Sequence, residues 1–367
     1  MKVRIVRPPS YYGETISMSA SYEDLLVKYV SEYKEVVEIA RNANGKVLVF
    51  VSSIKIGQKI TDLLNENCQE RSQLAGFLSA ENKEDEGKPI VDCLLNNQSF
   101  KTKVLVTTSV NDVGTNICDE EVRTIIIRAY EVEEMLQMLG RIRVSPDKGY
   151  QDITLYLWDV TINDLNKRVK SIRSKLEKIE EFERSGFNAT EFFLKNLDED
   201  KENMKFLYVS GDFKCCKFSK LCIYRIRELF SYYSNLLNSK KKDDSAFLKS
   251  HLNALGKDGE YSLQNFASVE IAQQKKETIL KELDELASEI LNVELSLEEM
   301  ADLFLAKAKL LIRRIKNKYV RSNVNLAVDR FNEISQLENF GYKITRAKKR
   351  HVKYVLNKEE KDGKKIL

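Results

Sequence analysis

Short apolar runs alternate with amphipathic stretches along the first 159 residues of this chain. The continuous runs predict strands near residues 46–51, 73–77, 104–106, 124–127 and 153–158, since strands covered on both faces read as unbroken apolar segments. Helical spacing between them predicts helices near 54–65, 91–97 and 131–139. This alternation predicts an α/β fold with a doubly wound parallel sheet, whose function lies at the carboxyl ends of the strands.

A longer helix is predicted before the first of these strands. Ser21 and Asp24 have the spacing of a capping box, and apolar residues from 25 to 37 recur at helical intervals. Asn44 and Gly45 then supply an end. The pattern therefore predicts one helix from about residue 21 to residue 44.

After Asp159 the pattern changes to long, charged helices. Apolar residues from Leu165 to Ile179 recur at intervals of four and three, a seam short enough to favour a helix packed on its own domain over a coiled coil. Ser296 and Glu299 have the spacing of a second capping box. The lysine-rich last 25 residues are predicted to be partly disordered. We therefore divide the chain into an α/β domain, 1–159, and a mostly α-helical accessory domain, 160–367, with a basic tail.

Composition narrows the class of protein. The 367 residues are 43% hydrophobic and 32% charged, with a formal net charge of +4, as expected for a cytoplasmic globular protein. No run of eighteen apolar residues is present, and the amino terminus lacks the apolar centre of a signal peptide. The six cysteines include no Cys-x-x-Cys pair, so reduced thiols and no metal site are expected.

One segment with candidate chemistry follows the predicted strand at 104–106. It contains Thr107, Thr108 and Ser109, and Gly114 lies shortly after them. Small and hydroxylated residues let backbone N–H groups approach a phosphate or a nucleic-acid backbone, and Gly114 can adopt a positive φ. The segment is therefore a candidate for binding such groups.

A second segment contains Gln137, Gly140, Arg141 and Arg143. We expect these residues on the exposed start of a helix, where guanidinium groups meet the charge that develops during phosphoryl transfer. Both segments are expected at the carboxyl ends of strands. No Gly-x-x-x-x-Gly-Lys-Ser/Thr phosphate loop occurs in the chain.

In order and approximate separation, these segments resemble motifs of the second RecA-like domain of superfamily 2 helicases. Residues 46–60 match motif IV, 107–116 match motif V and 137–143 match motif VI. Within that superfamily the chain is similar to the DEAD/DEAH-type proteins of bacteria and their mobile elements. The resemblance covers roughly the first 160 residues and implies a RecA-like fold for them.

The resemblance implies a role for each matching residue of the second segment. Gln137 would lie near the γ-phosphate and the attacking water, Arg141 would be the arginine finger, and Gly140 would permit close approach. A surface salt bridge is the alternative role for Arg141. Arg143 stands where the family commonly has a glycine, so its role is open.

In the first segment, Gly114 and Asn116 match the Gly-x-Asp position that couples nucleotide to nucleic acid, and Asn116 keeps hydrogen bonding without charge. The family contacts a nucleic-acid backbone nearby through hydroxyl and N–H groups, independently of sequence. Capping of the strand end is the alternative. The matching candidates are Ser52, Ser53, Thr107, Thr108 and Ser109.

The cofactor of the family is ATP with Mg²⁺, bound between two lobes. The first lobe supplies the phosphate loop and the acidic magnesium ligands, and none of that lobe is found here. The resemblance therefore implies that this chain alone is inactive and needs the missing first lobe, in cis or in trans. Truncation is favoured over a split motor, since covalent linkage gives a high effective concentration.

Two basic clusters near the carboxyl end are candidates for a nucleic-acid backbone. One spans 313–321, with a solvated helical face as its alternative reading. The other spans 343–353 and includes Lys348, Lys349 and Arg350, with only distant acidic partners in the sequence. Tyr342 and Tyr354 flank it and are candidates for base stacking.

Together these features predict part of an ATP-dependent DNA or RNA helicase or translocase, supplying the arginine-finger lobe. A protein partner of the helical half is also considered. The alternative is a non-catalytic nucleic-acid-binding or protein-interaction module that retains the fold. An independent flavodoxin-like nucleotide enzyme is disfavoured because no glycine-rich strand-to-helix loop is visible, and a membrane-surface role because the apolar face is weak.

Overall fold

A computed structural model describes residues 22–66, 73–108, 116–143, 149–196, 201–209, 216–300, 324–337, 339–348 and 352–358. The chain forms two compact units, unit 1 (Met1–Ala267) and unit 2 (Ser268–Leu367). The domain division at residue 159 stays a prediction, and that residue falls inside unit 1.

A six-stranded parallel sheet forms the centre of unit 1. Its strands follow the order β1-β6-β5-β2-β4-β3 across the sheet. In chain order they are β1 (Leu26–Val30), β2 (Lys46–Val51), β3 (Ala75–Leu78), β4 (Val104–Thr108), β5 (Val122–Ile127) and β6 (Thr154–Trp158). The helices between them are α1 (Tyr33–Asn42), α2 (Ile54–Asn65), α3 (Lys88–Asn97) and α4 (Val132–Leu139). The predicted fold class, a RecA-like doubly wound parallel sheet followed by a mostly helical part, is confirmed.

The unbroken apolar strands lie at the centre of the sheet. Every residue of β2 from Val47 to Val51 is buried, and so are Ile125, Ile126 and Ile127 of β5. Both strands have neighbours on each side and are covered on each face, which is why their sequences show no polar alternation.

The helix predicted from 21 to 44 is wrong in its first half. Leu26–Val30 forms the edge strand β1, which pairs with β6, and α1 begins only at Tyr33. The apolar residues near position 27 fit strand alternation as well as helical spacing, because Val27 and Tyr29 are buried while Leu26 is exposed. Backbone pairing with β6 decides between the two patterns, and the sequence alone does not contain that information.

The rest of unit 1 is mainly helical. Its elements are α5 (Ile162–Arg184), α6 (Ala189–Lys195), β7 (Leu207–Val209), β8 (Cys216–Phe218), α7 (Lys220–Lys242) and α8 (Ala246–Ala254). The heptad residues Leu165, Ile172 and Ile179 are buried in the same core as residues of α7. The prediction that this helix packs on its own domain is confirmed.

A buried ion pair joins α7 to the sheet. The Nζ of Lys240 donates to both carboxylate oxygens of Asp159, at 2.9 and 3.0 Å, and to the carbonyl of Asp244. Asp159 directly follows β6, and its backbone amide donates to the carbonyl of Val30. Burial raises the pKa of Asp159, and the Lys240 ammonium opposes that shift. The pair therefore holds α7 against the carboxyl ends of β1 and β6.

Unit 2 contains three helices and three antiparallel strands. They are α9 (Ala267–Ile290), β9 (Glu294–Leu295), a helix that begins at residues 297–300, α10 (Val324–Leu337), β10 (Tyr342–Lys348) and β11 (Val352–Lys358). The second capping box is confirmed, since Ser296 and Glu299 bond each other's backbone amides. The sequence analysis missed β10 and β11, which lie in the segment expected to be partly disordered.

Tyr342 and Tyr354 are core residues of unit 2. Tyr342 is 3% exposed and Tyr354 is fully buried. Their hydroxyls donate to Asp284 and Asn325 respectively. The expectation that these rings stack on bases is therefore wrong, because neither ring faces solvent.

Replacing Lys240 with methionine should destabilise unit 1 by about 3 kcal/mol, because the Asp159 carboxylate would stay buried without its partner. Urea unfolding followed by circular dichroism measures this loss. Lys249→Met is the matched control: Lys249 pairs with Asp243, both are about half exposed, and the expected cost is below about 1 kcal/mol. Equal costs for the two variants would show that the buried pair does not hold α7 in place.

Candidate functional site

The strand order reverses between β2 and β5. The chain leaves β2 toward β3 on one side of the sheet, and it leaves β5 toward β6 on the other side. In doubly wound sheets such a reversal opens a crevice outside the carboxyl ends of the two strands, and ligands bind there. This end of the sheet is therefore the first candidate surface.

Residues from three adjacent strands meet at this end, and we call them the carboxyl edge. Ser52, which is exposed, and Ser53, which is half-buried, directly follow β2. The amide of Arg128, which follows β5, donates to the carbonyl of Phe50 at 2.9 Å. The set comprises Ser52, Ser53, Thr107, Thr108 and Arg128.

The two threonines of the carboxyl edge differ in exposure. Thr108 pairs with Val51 and is half-buried, whereas Thr107 is buried. The Thr107 hydroxyl donates to the carbonyl of Thr108 at 3.0 Å. The Thr107 hydroxyl thus serves the end of its own strand, as the capping alternative expects, and Thr108 is the better candidate for an external ligand.

Arg128 is a feature that the sequence analysis missed. Its guanidinium is 3.1 Å from the Asp164 carboxylate and lies over the Trp158 ring at 4.8 Å. The side chain is 8–9% exposed, and its Nε has no hydrogen-bond partner among the described residues. An arginine straight after an unbroken run of isoleucines was the available signal. It places a fixed positive charge beside the strand reversal.

The placement of Gln137, Gly140, Arg141 and Arg143 at the start of a helix is wrong. Gln137 lies in the last turn of α4, and the other three follow its end. Carbonyl groups at a helix end carry a partial negative charge, which favours a nearby guanidinium but gives no help in binding an anion. Any attraction for phosphate at this place must therefore come from the arginine side chains.

The two predicted segments meet away from the carboxyl edge. The Ile117 amide donates to the Arg141 carbonyl at 2.8 Å, and the Arg143 amide donates to the Ile117 carbonyl at 2.9 Å. In addition, the Nε of Arg143 donates to the Oδ1 of Asn116 at 3.0 Å. These bonds define a second candidate surface, the arginine loop, which comprises residues 140–143 together with Asn116.

The arginine loop is tied to the segment that leads into β5. In that segment Asp119 and Glu121 bind Lys46, the first residue of β2. The amino-terminal ends of the strands are therefore nearby, and the expectation that both predicted segments lie at carboxyl ends is wrong for the arginines. A loop after a helix that packs along a strand returns toward that strand's start, and the motif spacing does not encode this direction.

Arg141 and Gly140 are placed differently from Arg143. The Arg141 side chain is half-buried and has no ion-pair or hydrogen-bond partner among the described residues, so the salt-bridge alternative finds no support there. Gly140 is exposed and has φ −64°, an angle open to any residue. The backbone geometry therefore does not by itself require glycine at this position.

Several predicted site residues lie outside the described part of the chain. They are Ser109, Gly114, Lys349 and Arg350. Lys348 is described only as the last residue of β10. Their predicted roles stay predictions.

No protein-family model matches the sequence, and a search of the curated proteins finds no match. Among solved structures, a Mycobacterium smegmatis helicase Lhr bound to ssDNA and AMP-PNP is similar over 38% of this chain and 20% of its own, with 19% identity and a TM-score of 0.30. Domain 2 of the DEAD-box helicase Mss116p bound to an RNA duplex is similar over 37% of this chain and 54% of its own, with 15% identity and a TM-score of 0.28.

A third similar structure is the E. coli DEAD-box protein SrmB bound to the regulator of ribonuclease activity A. The match covers 38% of this chain and 79% of that chain, with 18% identity and a TM-score of 0.27. At such scores the similarities are findings only, and the fold class stands on the sheet topology.

Among the described residues, no helix is long and apolar enough to cross a membrane. Likewise, no group of three or more His, Cys, Asp or Glu residues in that part of the chain is arranged to hold a metal ion.

Changing Gly140 to alanine should alter the free energy of unfolding by less than about 1 kcal/mol, because its φ suits an L-residue. A Cβ there would meet only the Leu136 carbonyl, at 3.2 Å, and the Gln137 carbonyl, at 3.7 Å. Gly45→Ala is the contrasting variant: φ is +88° and a Cβ would lie 2.7 Å from the Glu121 carbonyl, so a loss of about 2 kcal/mol or more is expected. Thermal or urea unfolding compares them, and a large loss for Gly140→Ala would mean that this glycine is structural.

Proposed function

We propose that unit 1 is the second motor lobe of an ATP-dependent nucleic-acid helicase or translocase. The observation that carries the proposal is the hydrogen bond from Arg143 to Asn116, together with the backbone bonds between Ile117 and the arginine loop. These bonds join the segment expected to contact phosphate to the segment expected to contact nucleic acid. A motor needs such a connection, since ATP turnover has to change the grip on the strand.

Arg141 is the residue assigned to the phosphoryl group. Its half-buried guanidinium has no partner among the described residues, so it would meet an incoming anion without first breaking an ion pair. Gln137 lies one helical turn earlier on the exposed face of α4 and would orient the attacking water. Arg143 positions the loop through Asn116.

ATP with Mg²⁺ is the cofactor implied, and a first lobe, in cis or in trans, would hold most of it. The guanidinium of Arg141 fits the charge on the γ-phosphate, which supplies the energy of the cycle when hydrolysed. This chain alone lacks a phosphate loop and is proposed to be inactive. The alternative function is a non-catalytic nucleic-acid-binding or protein-interaction module that retains the fold.

The carboxyl edge is assigned to the nucleic-acid backbone. Hydroxyl groups of Ser52, Ser53 and Thr108 lie on neighbouring strand ends, and Arg128 adds a positive charge beside the strand reversal. Such groups bind phosphates independently of base sequence. In this proposal Thr107 supports the strand end, and Ser109 and Gly114 continue the same surface.

Changing Ser52 to aspartate should weaken binding of a labelled single-stranded DNA or RNA by about fivefold or more at low salt. The reason is that one negative charge close to a phosphate costs about 1 kcal/mol even in water. Fluorescence anisotropy gives the dissociation constants. Ser231→Asp, on the exposed face of α7, makes the same change of charge and should leave binding within about twofold, since distant surface charges are largely screened.

Equal effects of the two aspartate variants would remove the carboxyl edge from the nucleic-acid site. The alternative module would bind nucleic acid as well, so this experiment tests the surface and leaves the motor to a second measurement.

Removing the Arg141 guanidinium with Arg141→Ala should lower the kcat of ATP hydrolysis about a thousandfold or more once the chain is assembled with a lobe that carries the phosphate loop. Steady-state phosphate release measures the rate. Arg141→Lys should restore little, because an ammonium lacks the planar fork of donors that bridges phosphate oxygens.

Arg123→Ala is the control, since Arg123 is exposed on β5 and donates only to nearby backbone carbonyls. Turnover close to that of the unaltered protein is expected from it. An Arg141→Ala assembly that hydrolyses ATP normally would contradict the finger assignment and favour the non-catalytic module.

A further inference from the structure

The element order of unit 2 defines a recognisable fold. Helix α9 is followed by β9, by the helix that begins at 297–300, by α10, and by the hairpin of β10 and β11. In the sheet, β11 lies between β10 and β9, and all pairs are antiparallel. This order and pairing are those of a winged helix, the helix-turn-helix variant in which a β-hairpin forms the wing.

The core of unit 2 agrees with that assignment. Side chains from both helices and strands share one buried cluster, with Ile279 and Ile290 of α9 packed against it. Its buried members are Met300, Val324, Val328, Phe331, Ile334, Phe340, Tyr342, Ile344, Tyr354 and Leu356. The hairpin is therefore fixed to the helices along its inner face.

Helix α10 also closes the free edge of the hairpin. The side chain of Asn332 donates to the Ile344 carbonyl at 2.9 Å and accepts from the Ile344 amide at 2.8 Å. The hydroxyl of Ser335 likewise bonds both backbone groups of Tyr342. The first half of β10 is thus held to the helix, and the strands continue beyond these contacts to Lys348 and Val352.

The hairpin has a one-sided charge. From Tyr342 to Lys358 the sequence contains seven Lys and Arg residues and no Asp or Glu. Arg346 pairs with Asp329, and Lys358 is 3.6 Å from Asp284. Lys348 and Lys353 occupy the opposite end, in register with Val352 and Ala347. Positive charge therefore concentrates where the strands leave the helix.

The aromatic residues of unit 2 point to a duplex rather than a single strand. Phe331, Phe340, Tyr342 and Tyr354 are each at most 6% exposed, and they are the aromatic residues described in this unit. Proteins that hold single strands generally stack bases on exposed rings. A basic hairpin without such rings matches the regular phosphate rows of a double helix, and the major groove, about 12 Å wide, admits a two-stranded ribbon.

We propose that the β10–β11 hairpin is a wing that binds the phosphate backbone of double-stranded nucleic acid, independently of base sequence. This binding site lies in unit 2 and does not depend on Arg141 or on the carboxyl edge. The protein would then grip a duplex through unit 2 in addition to the strand held by unit 1. The second clause rests on the proposed function, whereas the wing itself does not.

The test reverses two charges in the full-length chain. Lys348→Glu with Lys353→Glu is compared with Lys34→Glu and Lys281→Glu, which alter exposed lysines on α1 and α9. Anisotropy with a labelled 20-base-pair DNA duplex should show at least tenfold weaker binding for the hairpin variant and no more than about twofold for the control. The slope of log K against log salt should fall by about 2, since each lost phosphate contact contributes about 0.9.

A duplex RNA and a single strand complete the design. Duplex RNA should respond like duplex DNA if only the backbone is bound, and single-strand binding should persist in the hairpin variant. Lys348→Gln with Lys353→Gln removes charge without reversal and should give a smaller loss, which covers the case in which the glutamates disturb folding. Equal losses in hairpin and control variants, or loss of single-strand binding alone, would overturn the wing. Failure of Ser52→Asp to act, with the hairpin effect intact, would instead count against the carboxyl edge only.

Discussion

Backbone pairing of β2 on both its sides is the constraint on which the candidate site depends. β5 lies on one side and β4 on the other, and burial of Val47 through Val51 leaves β2 no freedom to shift. A shift of one residue would turn its apolar side chains to the wrong face. The position of Ser52, Thr108 and Arg128 relative to one another thus follows from register in the sheet rather than from contacts among those residues.

Sequence reasoning succeeded where burial dominates. β2 and α2 were predicted with the bounds that the structure has, since a continuous apolar run and a helical repeat each allow one interpretation. It failed at Leu26–Val30, whose identity as a strand depends on the neighbour β6. It also failed at Tyr342–Lys348, because lysine-rich composition suggested disorder while alternate residues built a core. Local patterns do not show which distant segment completes a hydrogen-bond ladder.

The candidate site was predictable in its residues and less so in its arrangement. Ser52 and Thr108 lie at strand ends as expected, whereas Arg141 and Arg143 follow the end of α4 and bind back to Ile117. Arg128 escaped notice because a buried arginine is legible only through Asp164 and Trp158, which come much later in the sequence. The two candidate surfaces therefore lie apart, and coupling between them has to pass through the chain from Thr108 to Asn116.

The side chains of Asn332 and Ser335 have a consequence for how this molecule avoids its own copies. An edge strand such as β10 normally offers unpaired amides and carbonyls to any other extended chain, and this invites fibrous association. Here α10 occupies those groups at Tyr342 and Ile344. The amide and hydroxyl of a single helix thereby do the protective work usually left to surface charge or proline, and residues on the solvent side of the hairpin are free to diverge without making the strand adhesive.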